Sequence, residues 1–573
     1  MLRRVFSRDL PSYLGERVVV QGWLHALRSL GGIAFLLVRD RDGLVQVVLR
    51  EEGISRLKDI HIGTVLSVSG LVSSSKRKDG APELTDVIVD VVSPVLEAPF
   101  WDYTRDQVDV DLDFLLDHRG FSLRNPVLAS VFHIQGEIAW AFRSYMRDKL
   151  EAREFFGPCL LPGASEGGAE VFFTDYFGAT ATLAQSSQLY KQILVGVYER
   201  VFSIMPFFRA DPSHTTRHLS EGKQLEFEAG FYTLADLLVT LEDLLRHIVR
   251  HLSATCPRAS GLLLLPDDAF PRISFREACQ ILGEASLSDL GSAEEKKLSI
   301  WAKEEYGSDF LFVTHWPRSV RPFYSAPSSC EQESETFDLL CSGIEITSGG
   351  VRRHTYEQVM QGLAEFNLSP VPFKIYLQAF KAGMPPHGGF GIGLERLTMV
   401  LLGLKNIREG SLFPSDYKRI ASEKQETLKG EEIHSEVIHL LRRRCVTFSL
   451  CSSEKISAET KGLKALLLMG KRSGTFFQAN LLLRSRLNMR VLSQIVGEEL
   501  TFADPKVIED QFGLKVGSIP PCGSLFGVRT FLDKEAHELK ECIYFSSGKP
   551  GESIVLEGPF PLLGHQEVVE ISI

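Results

Sequence analysis

The 573-residue chain has no run of about 18 apolar residues, the length that a membrane-crossing helix needs. Its N-terminal stretch, MLRRVFSRDL, is basic but lacks the apolar core of a secretory signal, so a cytoplasmic protein with no membrane association is expected. The nine cysteines are scattered, none forms C-x-x-C, and no Cys/His spacing suits zinc. Reduced thiols are expected instead of a disulfide framework. Excess positive charge is also missing, since the formal net charge is −10. That excludes a protein that is basic throughout, but not local nucleic-acid contact through clusters such as Lys76-Arg77-Lys78 or Arg442-Arg443-Arg444. Each cluster alone is more often a solvated face than an RNA site. Finally, residues 131–420 lack a regular strand–helix–strand repeat, which argues against a Rossmann sheet there.

What is present divides into several regions, as the length suggests. Residues 1–100 hold short β-branched runs separated by Gly-Gly, Asp-Gly and Lys-rich turns. Five such strands predict a small closed barrel of the OB type, a fold that offers a face to single-stranded nucleic acid. Residues 101–130 read as a connector. Residues 131–420 mix helical periodicity (VFHIQGEIAWAFRSYMRDKL, LADLLVTLEDLLRHIVRHL) with strands and predict an antiparallel α+β domain. Residues 421–435 are polar and aperiodic, as in a linker. Residues 436–573 open with the helix EVIHLLRRRC and alternate strands with helices, a separate α/β unit.

Three segments of the large domain carry chemistry. In GMPPHGGFGIGLERL (383–397) a glycine run allows close backbone approach and leads into a helix bearing Glu395 and Arg396. The second segment is Phe208-Arg209-Ala210-Asp211 with Thr216-Arg217-His218-Leu219 after a polar loop. The third is Glu166-Gly167-Gly168 followed by QSSQLYKQ (185–192). An arginine fork suits phosphate, though a lone glycine-rich turn with an ion pair is a weak signal.

Together the three segments resemble the class II aminoacyl-tRNA synthetases, and among them the aspartyl-tRNA synthetases of the archaeal and eukaryotic type, over roughly residues 15–420. The resemblance implies an ATP-dependent ligase that joins L-aspartate to tRNA(Asp) through an aspartyl-adenylate. In that reading Arg209 meets the α-phosphate, Arg396 the γ-phosphate, and Asp211, Arg217 and His218 complete the ATP site. Asp338, Glu345 and Ser348 stand where the family holds Mg2+, and hard oxygen donors suit that ion. Lys191 and Arg352 match positions that bind the substrate carboxylate, Gln188 and Glu226 positions near its amino end, and Glu166 the mobile loop that closes over it. Pro158 corresponds to the proline of the dimer motif, which implies a homodimer. In the barrel, Phe35 and Gln46 match positions that stack on and bond to anticodon bases, with Arg28 as a third member. The alternative for Phe35 is a core aromatic of the barrel. His25 stands where archaeal-type relatives carry Trp in strict enzymes and His in relaxed ones. It therefore implies that tRNA(Asn) is charged as well, which calls for a tRNA-dependent amidotransferase partner.

The block from Lys464 to Gly523 resembles the prolyl-tRNA-editing family of deacylases, through GLKALLLMG, FQANLLLRSRLN, ADPKVIEDQFG and GSIPPCG. The resemblance implies that Lys464 positions the ester-linked amino acid and that Gly517, Pro520, Pro521 and Gly523 form the loop over it. Cys522 has no partner base in the sequence and reads as a passive thiol. Several positions depart from the synthetase pattern: Asp211 replaces Glu, Glu226 replaces Asp, Val351 replaces Gln, and Gly222 stands where a bulkier residue is usual. These departures leave other readings open. One is a tRNA-binding paralogue with an impaired ligase site, whose working part is the C-terminal hydrolase; the C-terminal domain itself also reads as one retained only for tRNA affinity. Another is a ligase that activates asparagine or a free metabolite.

Overall fold

A computed structural model describes the chain except for residues 1–2, 31, 51–59, 76–79, 98–99, 163–170, 178, 211–214, 257–264, 267, 285–286, 416–428, 444–445, 458–459, 540, 557–565 and 573. Asp211, Glu166, the 76–78 basic cluster and the first part of the expected linker lie outside the described residues. The chain divides between residues 416 and 417 into two compact units. No helix among the described residues is long and apolar enough to cross a membrane.

The first unit begins with the expected barrel. Strands β1 (Arg17–Leu30), β2 (Ile33–Arg39), β3 (Leu44–Arg50), β4 (Val65–Ser73) and β5 (Glu83–Ser93) close in the order β1-β2-β3-β5-β4. Strict alternation drives closure. Ala34, Leu36 and Val38 of β2 and Val45, Val47 and Leu49 of β3 are all buried, and their odd-phase neighbours face outward.

Two short helices (Leu112–Asp117, Arg119–Ser122) occupy the region read as a connector, and α1 (Pro126–Asp148) starts before residue 131. Its start is set by Asn125, whose side chain accepts from the amides of Val127 and Leu128, and by Pro126 in the first turn. The sheet of this region uses β6 (Arg153–Glu154), β7 (Arg200–Phe208), β8 (Glu221–Gly230), β9 (Arg272–Ser274), β10 (Phe310–Thr314), β11 (Thr336–Cys341), β12 (Ile344–Val351) and β13 (His387–Gly393). They lie in the order β9-β10-β11-β12-β13-β8-β7-β6, and the inner pairs are antiparallel, as expected. Helix α1 and α2 (Leu234–Thr255), the latter held by a Thr233/Asp236 capping box, bury one face of the sheet around Phe142, Leu241, Phe227 and Phe390. Helix α3 (Leu394–Leu402) continues directly from β13.

The second unit is a mixed sheet. Its helix α4 spans Glu431–Arg443 and so takes in residues 431–435, which the sequence reading placed in the linker. The reason is Ile433. It extends the stripe of Val437 and Leu441 by one turn, and all three are fully buried. The strands are β14 (Phe448–Ser452), β15 (Lys461–Gly470), β16 (Phe476–Leu482), β17 (Arg529–Asp533), β18 (Ile543–Ser546), β19 (Glu552–Leu556) and β20 (Gln566–Val569), in the order β14-β19-β18-β15-β16-β17-β20. Each face carries its own apolar cluster, one around Leu463, Leu467 and Phe526 and one around Leu468, Leu481 and Phe531.

Candidate active site

A cleft of about 440 Å³ opens on the sheet of the first unit. Gln188, Arg209, Arg217, His218, Glu226, Glu345, Ser348, Arg352 and Arg396 all line it, although they come from segments up to two hundred residues apart. Lys191 and Asp338 are buried beside it.

The floor is a buried charge cluster. Lys191 Nζ lies 2.6 Å from Glu226 Oε2 and 3.2 Å from Glu228 Oε2. Arg352 donates to both oxygens of Glu228, at 2.8 and 3.3 Å, and to the carbonyl of Gly389 at 3.0 Å. Burial alone would push the Glu228 carboxyl up, but Arg352 and Lys191 outweigh it and hold it below the usual range. Glu228 also holds Arg352 firmly protonated against the opposing effect of burial. Glu228 did not emerge from sequence reasoning. Its signal was the alternation Leu225-Glu226-Phe227-Glu228, which places both carboxylates on one face of a strand.

The glycines of β13 make this cluster possible. A Cβ on Gly389 would sit 2.1 Å from the Phe227 carbonyl and 2.2 Å from Glu228 Oε2. On Gly391 it would meet Glu226 Oε2 at 3.1 Å. The run read as a close approach to ligand therefore also gives room to the glutamates of the neighbouring strand.

Arginines surround the opening. Arg396 donates to the Glu345 carbonyl at 2.9 Å and to the Arg217 carbonyl at 3.3 Å. Arg217 Nη1 lies 3.2 Å from Glu295, a residue of the helix Ser292–Tyr306 that no motif pointed to. Burial, and then repulsion from Glu345, pushes the Glu295 carboxyl up to about 7. Arg209 stands over the Phe207 ring at 5.3 Å, and its Nε is buried with no partner among the described residues, as is Gln188 Nε2. A buried donor with no acceptor is costly unless a ligand completes it. The Phe207 ring also explains Gly222, because a Cβ there would fall 2.6 Å from that ring.

No group of three or more His, Cys, Asp or Glu side chains among the described residues forms a ready metal cluster. Asp338 faces Ser348 across the β11–β12 ladder. Both are bonded to Arg321, which the sequence reading did not single out. Burial, together with the nearby Glu345, pushes the Asp338 carboxyl up against the pull of Arg321. Glu345 lines the cleft with Arg396 at 3.7 Å, and its hard oxygens fit magnesium.

On the barrel, Phe35 lies on the outward face, since Ala34 and Leu36 fill the interior, and it is paired with Arg28 in register. It is not a core aromatic. Gln46 donates to Glu83 at 2.6 Å, and His25 sits at an irregularity in the β1–β2 register.

In the second unit Gly517 has φ +91°, Pro520 accepts from Gln478 at 2.7 Å and Pro521 from Asn480 at 2.9 Å. Gly523 is required where it stands, because a Cβ would meet Gln478 Oε1 at 2.1 Å. Cys522 is fully buried and its thiol is pushed well up, which suits a passive role. Lys464 pairs with Leu481, so the register places it on the opposite face of the ladder from Gln478 and Asn480. Its ammonium donates to the carbonyls of Leu483 and Ser485, at 3.0 and 2.5 Å. The structure thus assembles the loop and its anchors, while Lys464 caps the end of β16.

Comparison with known proteins assigns these regions to families. The family of class II tRNA synthetases (D, K and N) matches residues 111–417, an OB-fold nucleic acid binding domain matches 18–90, and an aminoacyl-tRNA editing domain matches 446–559. An aspartate–tRNA(Asp/Asn) ligase from Thermus thermophilus is 41% identical over 433 residues, covering 73% of this chain and 99% of that protein. One from Archaeoglobus fulgidus is 35% identical over 73% of this chain and 99% of its own length. Among solved structures, asparaginyl-tRNA synthetase from Pyrococcus horikoshii with asparaginyl-adenylate aligns at a TM-score of 0.66 and 30% identity, over 72% of this chain and 98% of that one. The chain belongs to the class II aminoacyl-tRNA synthetases of the aspartate, lysine and asparagine group, and carries an aminoacyl-tRNA editing domain in addition.

Proposed function

We propose that this protein ligates L-aspartate to tRNA(Asp) and to tRNA(Asn), using ATP, through an aspartyl-adenylate. The observation that carries the reading is the buried Lys191–Glu226–Glu228–Arg352 cluster beneath a cleft ringed by Arg209, Arg217 and Arg396. A substrate carboxylate entering a buried site needs fixed cationic donors, which Lys191 and Arg352 provide. Glu226 and Gln188 suit the ammonium end, and Glu166 matches the family position that covers the amino acid. Activation brings the α-carboxylate of aspartate against the α-phosphate of ATP, so two anions must meet. Arg209 stabilises the charge that builds on the α-phosphate, and Arg396, with Arg217, His218 and Asp211, holds the rest of the nucleotide. Magnesium would be held by Glu345 with Ser348 and would neutralise phosphate charge. Lys191 selects aspartate over asparagine because its ammonium pairs with a carboxylate better than with an amide.

The outward Arg28–Phe35 pair, Gln46 and His25 form the anticodon face, and His25 supports the use of both tRNAs. The relatives named for tRNA(Asp/Asn) agree with that reading. Aspartate attached to tRNA(Asn) then requires a tRNA-dependent amidotransferase. A homodimer is supported by Pro158 and by Phe156, Leu160 and Phe173, apolar side chains 81%, 45% and 68% exposed on and beside one small sheet. In the editing domain, the Gly517–Gly523 loop is the site that hydrolyses mischarged tRNA; the family resemblance makes Lys464 its cation, although the register sets that side chain on the other face of the ladder from the loop's anchors.

The test is aminoacylation of purified tRNA(Asp) and tRNA(Asn) with aspartate and with asparagine. Aspartate is expected on both and asparagine on neither. Charging of tRNA(Asp) alone would refute the relaxed reading. No charging of either, with hydrolysis retained, would favour a paralogue whose working part is the editing domain.

A further inference from the structure

Arg321 follows the short turn Arg318–Val320 between β10 and β11 and lines the cleft. Its Nη1 donates to Asp338 Oδ1 at 3.0 Å and its Nη2 to Oδ2 at 2.6 Å. The same Nη1 donates to Ser348 Oγ at 3.1 Å. Its guanidinium carbon stands 4.1 Å from the centre of the Trp316 ring. Trp316 is itself fixed, because it is buried and its indole donates to the Val313 carbonyl at 3.0 Å. The Arg321 side chain is 11% exposed and that of Asp338 8%.

This is a strong way to hold a charge. A guanidinium matches a carboxylate with two parallel bonds, and an aromatic face adds attraction for the cation. A divalent ion seated on Asp338 would have to displace that fork or lie against it, and like charges at such a separation repel strongly in a poorly solvated site. Glu345 differs, since Arg396 stands 3.7 Å away and makes no fork with it.

We propose that Arg321 is a built-in cation of the nucleotide site, that Asp338 positions it, and that a divalent ion is seated through Glu345 without Asp338. The inference rests on the ATP-site reading of the cleft, but its test needs neither ATP nor tRNA.

The experiment is Mn2+ binding to the full-length chain without nucleotide, followed by the loss of the free-ion EPR signal. Arg321→Gln frees Asp338 beside Glu345 and is expected to bind Mn2+ about tenfold more tightly than the wild type. Asp338→Asn in that background should remove the gain. Asp338→Asn alone should leave Mn2+ affinity unchanged, and this variant decides the matter if Arg321→Gln does not fold. Equal binding by the wild type and Arg321→Gln would overturn the proposal. So would weakened binding by Asp338→Asn alone, because Asp338 would then be a metal ligand. Failure of aminoacylation with these Mn2+ results intact would count against the ligase reading and not against the role of Arg321.

Discussion

Arg352 shows how much one buried charge carries. It is 5% exposed and neutralises Glu228, which is fully buried. Arg352→Leu leaves that carboxylate with Lys191 as its paired cation and removes the cation proposed to bind the substrate. Breaking one side of a buried pair costs about 3–5 kcal/mol. Aspartate-dependent ATP–pyrophosphate exchange is therefore expected to fall by roughly a thousandfold or more, and normal exchange in the variant would show that the pocket is misassigned. Glu295 offers a test in pH. Its carboxyl titrates near 7 in the fold instead of at the ordinary 4.5, so between these values the folded chain keeps a proton that the unfolded chain has lost. Bound protons favour the folded state there, so stability falls as pH rises through that window. Glu295→Gln removes this dependence. The melting temperature of the variant relative to wild type should rise from pH 5 to pH 8, by the equivalent of about 1 kcal/mol after solvent screening. A constant difference would mean that Glu295 is ionised throughout.

At the scale of elements, periodicity made most strands and helices legible. The barrel strands alternate strictly, and α2 repeats Leu237, Leu241, Leu244 and Ile248 on its buried side. Boundaries were less legible. Helix α4 begins at Glu431 because Ile433 packs, and a polar composition does not reveal that one apolar residue faces a core. The glycine run of β13 was visible in the sequence, but half of its purpose was not. Gly389 gives room to Glu228, more than 160 residues earlier, and only the β8–β13 pairing brings the two together.

For the whole molecule, the division between residues 416 and 417 matters most. The second unit has two apolar clusters of its own, which is what an independently folding piece requires. A fragment of residues 429–573 should unfold cooperatively and slowly hydrolyse at least one ester in a panel of alanyl-, cysteinyl- and aspartyl-tRNAs. Binding alone separates similar small amino acids poorly, which is the reason for a second, hydrolytic site. Lys464→Ala should abolish this hydrolysis and leave aspartylation by the full chain unchanged. Equal rates for both fragments, with matched circular dichroism, would reduce Lys464 to the cap on β16 that its bonds to Leu483 and Ser485 describe.

Sequence alone was enough for the family, the order of the domains and every charged residue lining the cleft except Arg321, because a local pattern of residue types survives in one dimension. The tertiary structure alone decided which charges meet. Glu228, Arg321 and Glu295 were not singled out from the sequence, yet each is bonded to a residue that was: Arg352, Asp338 and Arg217. The physical reason is that burying a functional charge demands a counter-charge at about 3 Å, while the chain can supply that partner from any element the sheet brings alongside.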